Sequence, residues 1–210
     1  MVSRRGSPRE AAPSQRLRLV CVGRLERIKG IDLVVQSVAV LVGRGHECTL
    51  DVLGDGSERG RLEQLVARLN LERAVSFKGT LSEVGVQQAL QESDIFISGS
   101  YQEGFSLALL EALAQGLPAV VTDVGSARDV VRDGITGYVV DRRDPSVVAD
   151  RVLAAAALRQ EMSSRCRAVA EPYSSGAVSG IIVDTLEAIA RRSTDRPAPV
   201  NTPTLSQAAR

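Results

Sequence analysis

Residues 17–44 read LRLVCVGRLERIKGIDLVVQSVAVLVGR, and the fold turns on how this stretch is divided. Leu17–Val22 is an apolar run with little alternation, the pattern of a strand covered on both faces. A loop that opens and closes on glycine follows, from Gly23 to Gly30. Ile31–Arg44 then carries apolar residues around most of a helical surface, as a helix packed into a core does. Strand, glycine loop and buried helix form the first half of a βαβ unit.

The same alternation continues outward. Strands are expected at Thr49–Leu53, Val75–Lys78, Ile95–Ser98, Ala119–Thr122 and Tyr138–Val140. Helices are expected at Glu58–Leu69, Val84–Gln91, Ser106–Ala114, Pro145–Leu158, Glu161–Ala170 and Val178–Ala190. Gly116 and Pro118 end the third of these, and Asp133–Gly137 is read as a structural glycine turn. Together they predict an α/β fold: a Rossmann-like parallel sheet with helices on both faces. Residues 1–15 and 192–210 are rich in Arg, Ser and Pro, which predicts a disordered N-terminal segment or linker and a disordered C-terminal tail around a domain spanning 16–191.

Composition narrows the function. Hydrophobic residues make up 44% of the 210, enough for a sizeable core, but aromatics are only 3%, so Val, Leu, Ile and Ala must build it. A net charge of +1 argues against nucleic acid as a partner. The polar N-terminus has no hydrophobic signal segment, and no apolar run approaches the ~20 residues of a transmembrane helix. Cys21, Cys48 and Cys166 match no metal or redox spacing, and their odd number suits a reducing, cytoplasmic setting. Cys21 lies in an apolar run and is expected in the core. His46 lies in the turn Gly43–Glu47 and is read as solvated.

In an open parallel sheet, ligands bind beyond the carboxyl ends of the strands. The loops there carry Gly23-Arg24, Gly54-Asp55-Gly56, Gly79, Gly99 with Gly104, and Gly125. Glycine lets backbone N–H groups approach an anion closely. Arg24 and Lys29 in the first loop either bracket a diphosphate or are solvated loop cations. Glu103 and Glu111 flank the start of an apolar helix. If Gly104, Phe105, Ser106 and Leu107 form that helix's N-terminus, their amides suit phosphates. Eight residues of helix separate the two carboxylates by roughly 12 Å, the span of a nucleoside diphosphate-sugar. On the other reading Glu103 is a helix-start charge and Glu111 a surface residue.

GRLERIKG (23–30) taken with EGFSLALLEALAQGLPAVVTDVGSARDVVRDGITGYVV (103–140) resembles the C-terminal, donor-binding domain of family 4, or group 1, glycosyltransferases. The likeness covers roughly residues 17–170. Glu103 and Glu111 match the family's Glu-x7-Glu, and Gly23, Arg24, Lys29 and Gly30 match its Gly-Arg…Lys-Gly loop. The resemblance implies one half of a two-domain GT-B fold and retaining transfer of a sugar from a nucleoside diphosphate-sugar, with no other cofactor. It implies that Arg24 and Lys29 hold the diphosphate, that Glu103 contacts the sugar, and that Glu111 holds the ribose. It puts Gly23 and the amides of Gly104 to Leu107 on phosphate and sugar, and Thr80 and Leu81 near the base. Glu103, Arg24 and Lys29 are the expected catalytic set. The absence of a strict Asp-x-Asp fits a metal-independent site. Base, sugar and acceptor stay open. The sequence departs from the family at Gly99-Ser100, Gly125-Ser126 and Asp129.

Family members carry a further N-terminal domain of similar size for the acceptor. The expectation is a donor half whose acceptor-binding domain or chain is supplied separately and which is inactive without it. The alternative is a non-catalytic nucleotide-sugar-binding module or a subunit of a split enzyme. A dinucleotide-binding reading fails because Gly54-x-Gly56 is followed by Gly60, one place too late. A P-loop reading fails for want of any Gly-Lys pair.

Overall fold

The computed structural model describes residues 16–141 and 143–173. The predicted helix Val178–Ala190 and both predicted tails lie outside these residues. The chain runs β1 (Leu17–Val22), α1 (Ile31–Gly43), β2 (Cys48–Leu53), α2 (Arg59–Arg68), β3 (Val75–Gly79), α3 (Glu83–Gln91) and β4 (Ile95–Ser98). It continues with α4 (Leu107–Ala114), β5 (Ala119–Thr122), α5 (Ala127–Val130), β6 (Gly137–Val140), α6 (Pro145–Ala157) and α7 (Arg159–Ala170).

The six strands form one parallel sheet in the order β3-β2-β1-β4-β5-β6. Successive residues of each strand point to opposite faces, and the core divides accordingly. Leu19, Cys21, Leu50, Val52, Ile95 and Ile97 pack with α1, α2 and α6 on one face. Val20, Leu53, Phe96, Ala119 and Val121 pack with α3, α4, α5 and α7 on the other. Both faces of every central strand are therefore dry, which is why the strands read as unbroken apolar runs.

The predicted class holds, and most element ends fall within a residue or two of expectation. Short elements not foreseen include the four-residue α5 and the 3-10 turns at Arg27–Lys29 and Glu171–Tyr173. None of these is long enough to show a period. Cys21, Cys48 and Cys166 are all buried free thiols, and burial pushes Cys21 and Cys166 up to about 12. They are core residues, inert as nucleophiles. His46 is exposed in its turn. Asp133–Gly137 is structural: Thr136 is buried, its hydroxyl donates to the Val130 carbonyl, and Asp133 accepts from Val139 N–H. Among the described residues no helix is long and apolar enough to cross a membrane.

Candidate functional site

The strand order reverses between β1 and β4: the chain builds outward through β2 and β3 on one side and through β5 and β6 on the other. At such a switch point the loops leaving the two central strands part in opposite directions and open a crevice at the carboxyl edge. Here those loops are Gly23–Gly30 after β1 and Gly99–Ser106 after β4.

The loop after β1 is pinned to the end of β2 and the loop that follows it. Gly23 N–H donates to the Leu53 carbonyl and Leu25 N–H to the Asp55 carbonyl, each at 2.9 Å, while the Leu25 side chain is fully buried. Its far end turns through Arg27–Lys29 and closes on Gly30, which takes a left-handed conformation (φ 55°). A Cβ on Gly30 would lie 1.9 Å from the Gly99 carbonyl oxygen, so this position accepts only glycine. The backbones of the two central loops thus touch, and Tyr101 N–H donates to the Ile28 carbonyl at 2.7 Å.

That contact brings Lys29 to Glu103. Lys29 Nζ lies 2.7 Å from Glu103 Oε1, with the two side chains 23% and 17% exposed. Ser100 Oγ donates to the same oxygen at 2.9 Å. The end of β5 and the loops after β5 and β6 brace the segment from behind. Thr122 Oγ1 donates to the Ser100 carbonyl at 2.6 Å, Arg143 donates to the Gly99 and Ser100 carbonyls, and Ser126 N–H donates to the Gly104 carbonyl.

Among the described residues, clefts open at two places along this edge. One, of about 20 Å³, is room for a single water; it is walled by Ser98, Glu103, Ser106, Leu109, Thr122 and Ser126 among others. The other, of about 220 Å³, lies between the loops after β1, β2 and β3. Val22, Leu53, Leu81 and Val86 give it apolar walls, with Gly23, Arg24, Asp55 and Thr80 supplying polar groups. Arg24 has no acidic partner among the described residues. Lys29 and Glu111 wall neither cleft.

The expected residues therefore assemble in two groups along one edge rather than around one cavity. Gly23, Arg24, Thr80 and Leu81 share the larger cleft, Glu103 and Ser106 share the smaller, and the Lys29–Glu103 pair joins the first loop to the fourth. One expectation needs correction. Gly104 and Phe105 are not in the helix N-terminus: Ser106 is the cap, its Oγ accepting from Leu109 N–H at 3.4 Å, and α4 begins at Leu107. Glycine at 104 and an N-cap-forming serine at 106 end the helix there. Glu103 and Glu111 are consequently not eight helical residues apart, and the 12 Å helical span does not apply. Phe105 and Leu107 are exposed, at 46% and 68%.

Glu111 sits half-buried on α4. Burial, and secondarily the nearby Glu83 carboxylate, raise its pKa. A raised folded-state value means that the folded protein holds this proton more tightly than the unfolded chain does. The associated stability is full below the ordinary glutamate range and is lost as pH rises through the folded value. Glu111→Gln is therefore expected to raise the melting temperature slightly at pH 7, with the gain vanishing below about pH 4.5. Melting curves of both proteins across pH 4–8 check this; an equal gain at every pH would remove the electrostatic explanation.

Sequence reasoning missed Ser98, Ser100, Thr122, Ser126 and Arg143. Ser100 stood in plain view beside Gly99, noted only as a departure from the family pattern. Arg143 lies 40 residues beyond Glu103 and carries no motif.

The family is settled by residues 4–171, which match the family described as Glycosyl transferases group 1. The chain belongs to this family. Among curated relatives it is 36% identical over 136 residues to D-inositol 3-phosphate glycosyltransferase of Corynebacterium urealyticum, covering 61% of this chain and 32% of the relative. It is 35% identical over 135 residues to N-acetyl-alpha-D-glucosaminyl L-malate synthase of Bacillus anthracis, covering 64% and 35%. This group 1 chain thus spans about a third of the length of those relatives. Among solved structures, it superposes on the pneumococcal O-GlcNAc transferase GtfA, in complex with UDP and GlcNAc, with a TM-score of 0.70 at 25% identity, covering 86% of this chain and 36% of that one. Anabaena Alr3699/HepE, solved with UDP-glucose, shares the fold with a TM-score of 0.73 at 22% identity, covering 82% and 49%.

Proposed function

We propose that this group 1 chain is the donor-binding half of a retaining glycosyltransferase. It holds a nucleoside diphosphate-sugar and, with an acceptor-binding domain, passes the sugar to an acceptor hydroxyl. The observation that carries this reading is the Lys29–Glu103 contact at the switch point. It sets an ammonium, a carboxylate and the start of α4 side by side at the edge where such sheets bind ligands. Arg24, one loop residue after Gly23, extends the positive surface into the larger cleft.

In this arrangement the apolar walls of Val22, Leu53, Leu81 and Val86 take the flat face of the base, with Thr80 at its rim. Glu111 accepts from the ribose hydroxyls. Arg24, Lys29 and the free amides at the start of α4 take the diphosphate, and Glu103 accepts from the sugar. As the sugar–phosphate bond breaks, negative charge builds on the leaving diphosphate, and the cations already fixed beside it stabilise that charge without reorganising. A donor phosphate oxygen on the same face takes the proton of the incoming hydroxyl, so configuration is retained.

A melting screen with UDP, GDP, ADP and their sugar conjugates tests the reading. A true donor at about 100 times its Kd stabilises by about 2.7 kcal/mol, roughly 5–10 °C for a domain this size. No shift with any diphosphate at millimolar concentration would end the proposal. Joining the chain to an acceptor domain and assaying transfer tests the catalytic half of it.

A further inference from the structure

Arg143 has no place in the donor contacts above, yet its guanidinium is tightly constrained at this edge. It lies between β6 and α6, immediately before Asp144, whose carboxylate caps α6 by accepting from Ser146 N–H at 2.8 Å. The residue is therefore anchored by a helix start that packs against the sheet. One guanidinium nitrogen donates to the Ser100 carbonyl at 2.8 Å and the other to the Gly99 carbonyl. The plane lies over the Tyr101 ring, 3.4 Å from its centroid. Nε is buried and has no hydrogen-bond partner among the described residues. A buried, unsatisfied donor is unfavourable, so the side chain is held inward by what its other two nitrogens reach.

Those nitrogens reach three consecutive residues of one loop: two carbonyls and the ring that follows. The loop is the one that carries Glu103, and Ser100 is the residue whose hydroxyl donates to Glu103. A Cβ on Gly30 would also fall 2.9 Å from an Arg143 nitrogen, so the guanidinium fills the seam where the first and fourth loops meet. A planar fork can satisfy two successive carbonyls and stack on a ring at once; a lysine ammonium cannot.

We infer that Arg143 is a positioning residue of the donor site: it locks Gly99–Tyr101 in place and so holds Glu103 opposite Lys29. The inference rests on the donor-site reading. It implies that Arg143 governs recognition of the sugar, through Glu103, more than recognition of the diphosphate, which Lys29 and Arg24 take directly.

The experiment compares the full chain with Arg143→Lys and Arg143→Met, and with Met162→Ala, a buried change on the opposite face of the sheet. Each is titrated calorimetrically with UDP, GDP and ADP and with UDP-glucose, GDP-mannose and ADP-glucose. Both Arg143 variants are expected to lose about 10-fold in affinity for the sugar conjugate that the wild type binds. They lose less for its bare diphosphate, and amide exchange at Tyr101–Gly104 speeds up. Met162→Ala lowers the melting temperature and leaves the ratio of the two affinities unchanged. If Arg143→Met fails to fold, Arg143→Lys decides. The inference is overturned if Arg143→Lys keeps both wild-type affinities, or loses both in equal proportion. A wild type that binds no diphosphate sinks the donor-site reading instead, and this inference with it, so the two failures are told apart by the wild-type titration alone.

Discussion

Lys29→Ala is expected to weaken binding of a bare nucleoside diphosphate by about 2 kcal/mol, roughly 30-fold. The ammonium is already largely shielded from water, at 23% exposure, and already held in one place by Glu103 at 2.7 Å. An incoming phosphate thus meets a charge whose desolvation and ordering have been completed during folding. Removing it also leaves Glu103, itself 17% exposed, facing the phosphate with no counter-charge. The companion change separates the two roles. Glu103→Gln frees Lys29 from its ion pair, so a bare diphosphate binds as well as or better than before, while the sugar-bearing donor exchanges a charged hydroxyl acceptor for a weaker neutral one and binds worse. Titrating both variants with both ligands checks this. If Glu103→Gln weakens the bare diphosphate as much as Lys29→Ala does, the division of labour between them is wrong.

Gly30→Ala is expected to cost about 3 kcal/mol of stability, or roughly 10 °C in melting temperature, and to abolish diphosphate binding. Two effects add. The left-handed backbone at φ 55° is unfavourable for any residue with a Cβ, and that Cβ would lie 1.9 Å from one Gly99 backbone atom and 2.7 Å from another. The Arg143 side chain, 2.9 Å away, could yield, but the Gly99 backbone could not; the β1 and β4 loops would have to separate. Because Lys29 precedes Gly30, the separation pulls it from Glu103. Thermal melts alongside a binding titration check both halves, and a variant as stable as the wild type would show that the loops do not depend on this contact.

What the sequence made legible was periodic or local. Ile31–Gly43 announced itself by an apolar surface, Ala119–Thr122 by a short run between Pro118 and the Gly125 loop, and the helix ends by glycine and proline. These signals depend on neighbours within a turn or a strand, so they survive without coordinates. The helix Ser106–Ala114 was read to within a residue of its start, but its N-terminus was carried too far back, to Gly104, because capping is decided by backbone dihedrals at Ser106 that a Gly-Phe-Ser string does not reveal. That Lys29 and Glu103, 74 residues apart, serve one site was reachable only as an expectation of family likeness, and their direct ion pair was not foreseen. Strand order sets it, and no spacing encodes strand order. Arg143 lay further out of reach. Its role depends on the seam between two loops, and nothing near Asp144 and Pro145 distinguishes it from an ordinary residue ahead of a helix.

The outermost position of β3 has a thermodynamic consequence. Only Val75 of its five residues is buried, and it pairs on one side alone, through a register shift beside Leu53. Sheets open first from such margins, by excursions far smaller than global unfolding. Lys29 and Glu103 hang from the two innermost strands and are untouched by these excursions, whereas Thr80 and Leu81 follow β3 directly. On the donor-binding reading proposed above, the grip on the charged middle of a donor is the persistent part of this site, and the surface that would face the base is the part that breathes.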